Sequence, residues 1–133
     1  MAKVTQFEEL LIWQLSRQVS KEVYKLTKEP PFRYDTRFVQ QIRAAAGSVM
    51  DNIAEGFERD GNKEFINFLY ISKGSCGEVR SQLYRALDAE FISQAKFDEL
   101  FNMNMKLSAS IAKFIVSLKS SAIPGQKNKA PET

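Results

Sequence analysis

Histidine is absent from the 133-residue chain, and cysteine occurs once. Without imidazole there is no Ser–His–Asp or Cys–His nucleophile, and none of the Glu-x-x-His ligand pairs that di-iron helical bundles use. An enzyme built on this sequence would have to work with carboxylates, lysines and tyrosines. A single cysteine, Cys76, forms no intramolecular disulfide. It falls on the apolar seam of a helix, where a thiol serves as a small core residue. No apolar run approaches the roughly 20 residues that cross a bilayer. The first residues, Met1-Ala2-Lys3-Val4-Thr5-Gln6, lack the charged-then-apolar layout of a secretory leader, so a cytoplasmic location with no membrane partner is expected.

What is present is helical periodicity. The chain is 44% hydrophobic and 26% charged, the balance of an ordinary globular domain, and its length can bury a core of its own. A first helix is predicted over about 7–28, with Ile12, Leu15, Val19, Val23 and Leu26 on one face, and Pro30-Pro31 ends it. A second is predicted over 36–59 behind an Asp35 N-cap, its core face being Phe38, Ile42, Ala45, Val49, Ile53 and Phe57. Asp60-Gly61-Asn62 makes a tight connector, with Asn62 able to cap a third helix over 63–90. There Phe65, Leu69, Ser72, Cys76, Val79, Leu83 and Ala86 alternate strictly by four and three, a heptad seam. Ser93 caps a fourth helix over 94–119, whose seam runs Phe97, Leu100, Asn104, Leu107, Ile111, Phe114 and Leu118. Asn104 is a polar intruder of the kind that fixes register or association. Residues 120–133, with Pro124, Gly125 and Pro131, are expected to form a disordered tail. Four helices on short connectors pack antiparallel, so the predicted fold is an all-α up-down-up-down four-helix bundle.

Folding the second and third helices back about Gly61 sets Gln41 beside Gln82, Ser48 beside Ser75, and Arg43 near Glu78. The polar stripe Gln41, Ser48, Asn52 and Glu55 then meets Ser75, Glu78 and Gln82, predicting a polar layer between helices or at an edge shared with another subunit. Glycine inside a helix costs about 1 kcal/mol relative to alanine, and close approach of two backbones is the reason expected for Gly47, Gly74 and Gly77.

Three functional readings compete. Arg17, Lys21, Lys25 and Lys28 form a basic stripe on the first helix, and Lys73 and Arg80 interleave with Tyr70 and Tyr84 on the third. Cations contact phosphate and tyrosines stack on exposed bases, which points to RNA or DNA. The same residue types suit a subunit interface, and the stripe on the first helix is the ordinary pattern of a solvated face with extra positive charge toward the helix C-terminus. A net charge of +3 permits an anionic partner without demanding one. The enzyme reading rests on Asp51, Glu55, Glu58, Glu64 and Glu78: Glu55-x-x-Glu58 matches half of the magnesium site of all-α nucleotide pyrophosphohydrolases. Glu78 is followed three residues later by Ser81, so the other half is missing, and no catalytic residue, metal or cofactor is assigned. The third reading is a structural or adaptor protein, with Trp13 and Tyr24 either anchoring a protein partner or completing the core.

Leu11-Ile12-Trp13-Gln14, Gln41-Ile42-Arg43-Ala44-Ala45 and Asn52-Ile53-Ala54-Glu55-Gly56 form a specific combination with Lys63-Glu64-Phe65, Phe68-Leu69, Gly74-Ser75, Glu78 and Gln82. Together they resemble the four-helix-bundle proteins encoded in intervening sequences of bacterial 23S rRNA genes, often labelled S23 ribosomal proteins. The resemblance spans about residues 7–118. It implies a ring-like homopentamer without established catalytic activity. It also implies kinship with the accessory variability determinant of diversity-generating retroelements, a basic pentameric barrel that binds nucleic acid and a reverse transcriptase. The family often carries a second arginine after the one at Arg43. Here that position is Ala44, one cation fewer on this edge.

Overall fold

A computed structural model describes residues 3–121. Four long helices account for most of it: α1 (Leu11–Thr27), α2 (Thr36–Glu58), α3 (Asn62–Asp88) and α4 (Gln94–Ser120). Each packs on its neighbour in the chain and α1 closes against α4, so α1 and α3 stand at diagonal corners, as do α2 and α4. The chain is an antiparallel up-down-up-down bundle. The tail expected from 120 falls outside the described residues from 122 onward, whereas Ser120 itself ends α4.

The seams read from the sequence lie in the core, except that Leu15 of the α1 face is only half-buried. Every seam position of α2 and α3 is at most 5% exposed, and those of α4 at most 6%. Each large apolar side chain buried this way stabilises the fold by roughly 1.5–3 kcal/mol. Aromatic clusters close the two ends. Phe65 meets Phe57 and Phe114 edge-on at one end, with ring centroids 5.9 and 5.7 Å apart. Phe32, Phe38 and Phe91 pack together at the other.

The helix starts follow local chemistry, with two departures from expectation. Asp35 accepts from the Phe38 N–H at 3.1 Å and Ser93 from the Lys96 N–H at 3.1 Å, each satisfying a first-turn donor. The first helix, by contrast, does not begin at Phe7. Residues Phe7–Glu9 form a separate 3-10 turn, Leu10 is extended and fully buried, and α1 begins at Leu11. The Glu9 carboxylate accepts from the backbone N–H groups of Thr5 and Gln6 and the Thr5 hydroxyl, which closes the small turn and lowers the Glu9 pKa. At the start of α3 the N-cap is Gly61, held at φ 81°, a conformation in which glycine avoids the Cβ penalty. Asn62 is not the cap. Its side chain reaches across to Leu118 O and Ser121 Oγ at 3.4 Å, tying the start of α3 to the end of α4.

The glycine expectation is corrected as well. A Cβ built on Gly47, Gly74 or Gly77 would meet nothing within 4 Å, so no helix among the described residues crowds them. The close approach occurs at Gly56, where a Cβ would lie 2.6 Å from Phe68 Cβ and 3.0 Å from Phe65 Cδ1. Periodicity alone does not reveal it, because Gly56 abuts the aromatic first turns of α3 rather than another small-residue stretch.

Candidate nucleic-acid interface

The side chains expected between α2 and α3 divide into a bonded core and an outer fringe. Ser75 Oγ donates to Ser48 Oγ at 3.0 Å, and Asn52 Nδ2 donates to Ser48 O and Oγ at 2.8 and 3.0 Å. One turn away Ser72 Oγ donates to Val49 O at 2.9 Å. The Asn52 bonds stay within α2, and the Ser75–Ser48 and Ser72–Val49 bonds between the helices fix the antiparallel register anticipated from the Gly61 turn. Gln82 is 5% exposed, and its Oε1 has no hydrogen-bond partner among the described residues. Gln41 and Glu78 line the same open groove as Gln82 but are exposed, and Glu55 pairs at 2.9 Å with Arg59 on the same stretch.

Arg43 does not approach Glu78. It leans toward α1, where its Nε donates to Thr27 Oγ1 at 2.9 Å and its guanidinium lies 4.4 Å from the centre of the Tyr24 ring. A long flexible side chain of this kind settles where acceptors and ring faces are, and α1 supplies both. The contact also separates Trp13 from Tyr24. Trp13 is partly buried against the core and meets Phe7 edge-on at 5.2 Å, while Tyr24 stays half-exposed under Arg43.

The two basic sets lie on diagonal helices and do not converge. On α1, Arg17, Lys21, Lys25 and Lys28 are all exposed. Lys25 is paired with Glu22 at 3.3 Å, and Arg17 sits 5.8 Å from the Trp13 ring centre. On α3, Tyr70, Lys73, Arg80 and Tyr84 lie toward the margin with α4, and three of them acquire companions there. Lys119 Nζ donates to Tyr70 OH at 2.6 Å, Arg80 Nη1 reaches Met105 Sδ at 3.2 Å, and Tyr84 packs against Phe97 and Phe101 at 5.0 and 5.8 Å. Both tyrosines keep 49% of their surface exposed.

Lys119 and Met105 are the members that helix-by-helix periodicity does not supply. Folding α3 and α4 back about Phe91, in the same way as α2 and α3 about Gly61, brings both opposite the α3 stripe. Beyond Glu99, α4 carries Lys106, Lys113 and Lys119 and no carboxylate.

Chemically reactive groups are scarce. The Cys76 thiol is fully buried, and burial pushes its pKa up to about 12, which keeps it protonated and inert. Among the described residues no three Cys, Asp or Glu side chains converge where a metal ion could be held, and Glu55 and Glu58 stand exposed on α2. Nor is any helix of the described residues long and apolar enough to cross a membrane.

Fold and faces together define an all-α bundle without an evident catalytic centre among the described residues, its surface divided between cationic and mixed-charge helices. The family profile of the 23S rRNA-intervening sequence protein matches residues 8–113, and the chain belongs to that family. The fold is similar to the crystal structure of a protein of unknown function from the S23 ribosomal protein family of Bacteroides thetaiotaomicron VPI-5482. The TM-score is 0.72 at 19% identity, covering 80% of this chain and 96% of that one. No curated protein matches the chain.

Proposed function

We propose that this protein is a non-enzymatic, cytoplasmic, nucleic-acid-associated bundle that works as a homo-oligomer. Its α3–α4 face meets RNA or DNA. The observation that carries this reading is the placement of Lys73, Arg80 and Lys119 beside half-exposed Tyr70 and Tyr84 on a surface where α4 offers no carboxylate beyond Glu99. The lysines and arginine neutralise phosphates, and the free part of each tyrosine ring takes an unstacked base. Arg17, Lys21, Lys25 and Lys28 on α1 add a second, sequence-independent contact. Family membership favours the ring-like homopentamer. Five copies would present five times the +3 of one chain, so that weak contacts sum into useful affinity.

The test is fluorescence anisotropy of labelled structured RNA and duplex DNA across a salt series, comparing wild type with K73Q/R80Q/K119Q. Wild type should bind, and its affinity should fall steeply with salt. The triple variant should bind more weakly, with the log–log slope reduced by about 0.9 for each duplex phosphate that it no longer neutralises. Absence of binding at low salt would overturn the reading and turn attention to a protein partner, the adaptor role.

A further inference from the structure

The outer side of α2, facing away from the core between α1 and α3, carries a second regular pattern. Arg37, Gln40, Ala44, Gly47, Asp51, Ala54 and Glu58 follow one another at heptad spacing along a single ridge, and all but half-buried Gly47 and Ala54 are exposed. A heptad ridge is what a helix presents to another helix, yet none of the four helices described covers it. At its centre Gly47 has no internal reason to be glycine, since a Cβ there would touch nothing.

The charges on this helix are segregated, and in the unfavourable sense. Arg37 and Arg43 lie in the N-terminal half; Asp51, Glu55 and Glu58 lie in the C-terminal half. The helix dipole favours the opposite arrangement. Glu55 is paired with Arg59, but among the described residues Arg37, Arg43, Asp51 and Glu58 form no ion pair. Arg43 is nevertheless held in place. Thr27 takes its Nε and the Tyr24 ring supports its plane, so its terminal nitrogens are left as an oriented fork for a carboxylate. Arg43 and Asp51 line the same open groove of about 710 Å³ beside the ridge. On the other flank, next to Ala44 and Ser48, the buried Gln82 Oε1 lacks a donor.

We infer that this ridge is a self-complementary docking surface on which α2 of a second copy of the chain packs antiparallel, centred on Gly47. Arg43 and Asp51 stand at equal distances along the sequence on either side of Gly47. With Gly47 against Gly47, Arg43 of each copy therefore faces Asp51 of the other, and Arg37 comes beside Glu58. A two-fold axis makes every pair twice, as an isologous contact requires. Ala44 and Gly47 let the axes approach to the short end of the 8–10 Å range of packed helices. The basic half of each helix then covers the acidic half of the other, answering the misplaced charges of both. Gln82 gains a donor from the incoming chain. Nucleic acid does not fit this surface, because Asp51, Glu55 and Glu58 repel a polyanion. The contact is independent of the α3–α4 face and closes after two copies, so it joins two chains, or two rings where other faces close the ring.

The experiment is the mass of the full chain by sedimentation velocity, at low and high salt, for wild type, D51R, R43D, R43D/D51R and G47L. Helicity by circular dichroism and RNA binding are measured alongside. Wild type should contain an even number of copies. D51R and R43D should each halve the mass, and the double variant should recover it. G47L should halve the mass without loss of helicity, because its side chain enters space that only a second helix would fill. RNA binding per chain should survive in D51R, which separates this contact from the proposed function. A wild type that is monomeric or a lone five-membered ring overturns the inference. So do D51R and G47L proteins that keep the wild-type mass, or a double variant that stays dissociated. Asp51 makes no ion pair among the described residues and Gly47 has open space beside it, so their variants carry the test even if R43D disturbs the Thr27 contact.

Discussion

Gly56 and Gly47 belong to the same helix but to opposite sides of it. Gly56 is buried beneath Phe65 and Phe68, where a methyl group has no room; Gly47 sits on the outer ridge, where a methyl group meets nothing. The polar residues divide in the same way. Inward, Ser72 and Asn104 bond to backbone carbonyls of the neighbouring helix, at Val49 and Cys76. Outward, Arg37, Asp51 and Glu58 form no ion pair among the described residues. Residues that look alike in sequence thus stand in two environments, the packed interior of the bundle and its open outer surface.

The sharpest way to break the comparison is Asn104→Asp. Asn104 is fully buried and donates to Cys76 O at 2.8 Å, while its own Oδ1 is unpartnered. A carboxylate there loses the donor and buries an uncompensated charge, so denaturant unfolding at neutral pH should show a loss of about 3 kcal/mol or more. The deficit should shrink in acid, as the carboxyl takes up a proton and regains a donor. Next comes the pair of glycines. Gly56→Ala should destabilise by about 1–3 kcal/mol through overpacking against Phe68. Gly47→Ala should stabilise the isolated chain by up to about 1 kcal/mol, because helix propensity acts unopposed there. Equal signs for the two in thermal melts would erase the distinction between the inner and outer sides of α2.

A subtler inward effect belongs to Cys76. Its folded pKa is raised to about 12 by burial, above that of the exposed thiol in the unfolded chain. Its contribution is therefore fully present below the unfolded pKa near 9 and is lost as pH rises through about 12. Stability measured from about pH 8 to 11 should fall more steeply in wild type than in Cys76→Ala, and native Cys76 should resist alkylation until the chain unfolds. The smallest effect on stability belongs to the outward cations. R17Q/K21Q/K25Q/K28Q should leave stability within about 0.5 kcal/mol of wild type, as surface changes do. Its salt slope for nucleic acid should drop less than that of K73Q/R80Q/K119Q, since only the latter removes cations that stand beside exposed tyrosines. A larger drop for the α1 set would reverse the ranking of the two basic faces.

Much of the bundle is legible in the sequence. Three-and-four spacing in α2, α3 and α4 picks out most of their core residues, because a straight helix with one covered face must repeat its apolar side chains every three to four positions. The short Gly61 turn sets the pairing of Ser48 with Ser75, since little chain is available there to shift register. The start of α1 is not legible, because Leu10 continues the apolar pattern while its backbone is extended. The polar layer is narrower than the stripes suggest. Periodicity assigns a residue to a side of a helix but not the direction in which a long side chain finally points.

The amino-acid order by itself therefore determined the helices, their core faces, the antiparallel topology and the family, all of which depend on local spacing and short connections. Tertiary structure decided the rest: that Arg43 is held by Thr27 and Tyr24 of α1, that Lys119 joins Tyr70, that Gly56 and not Gly47 is crowded, and that the two basic stripes stand on diagonal corners. These outcomes depend on which atoms from distant parts of the chain arrive within a few ångströms of one another. Such distances are set by the packing of all four helices at once and by no single stretch of sequence.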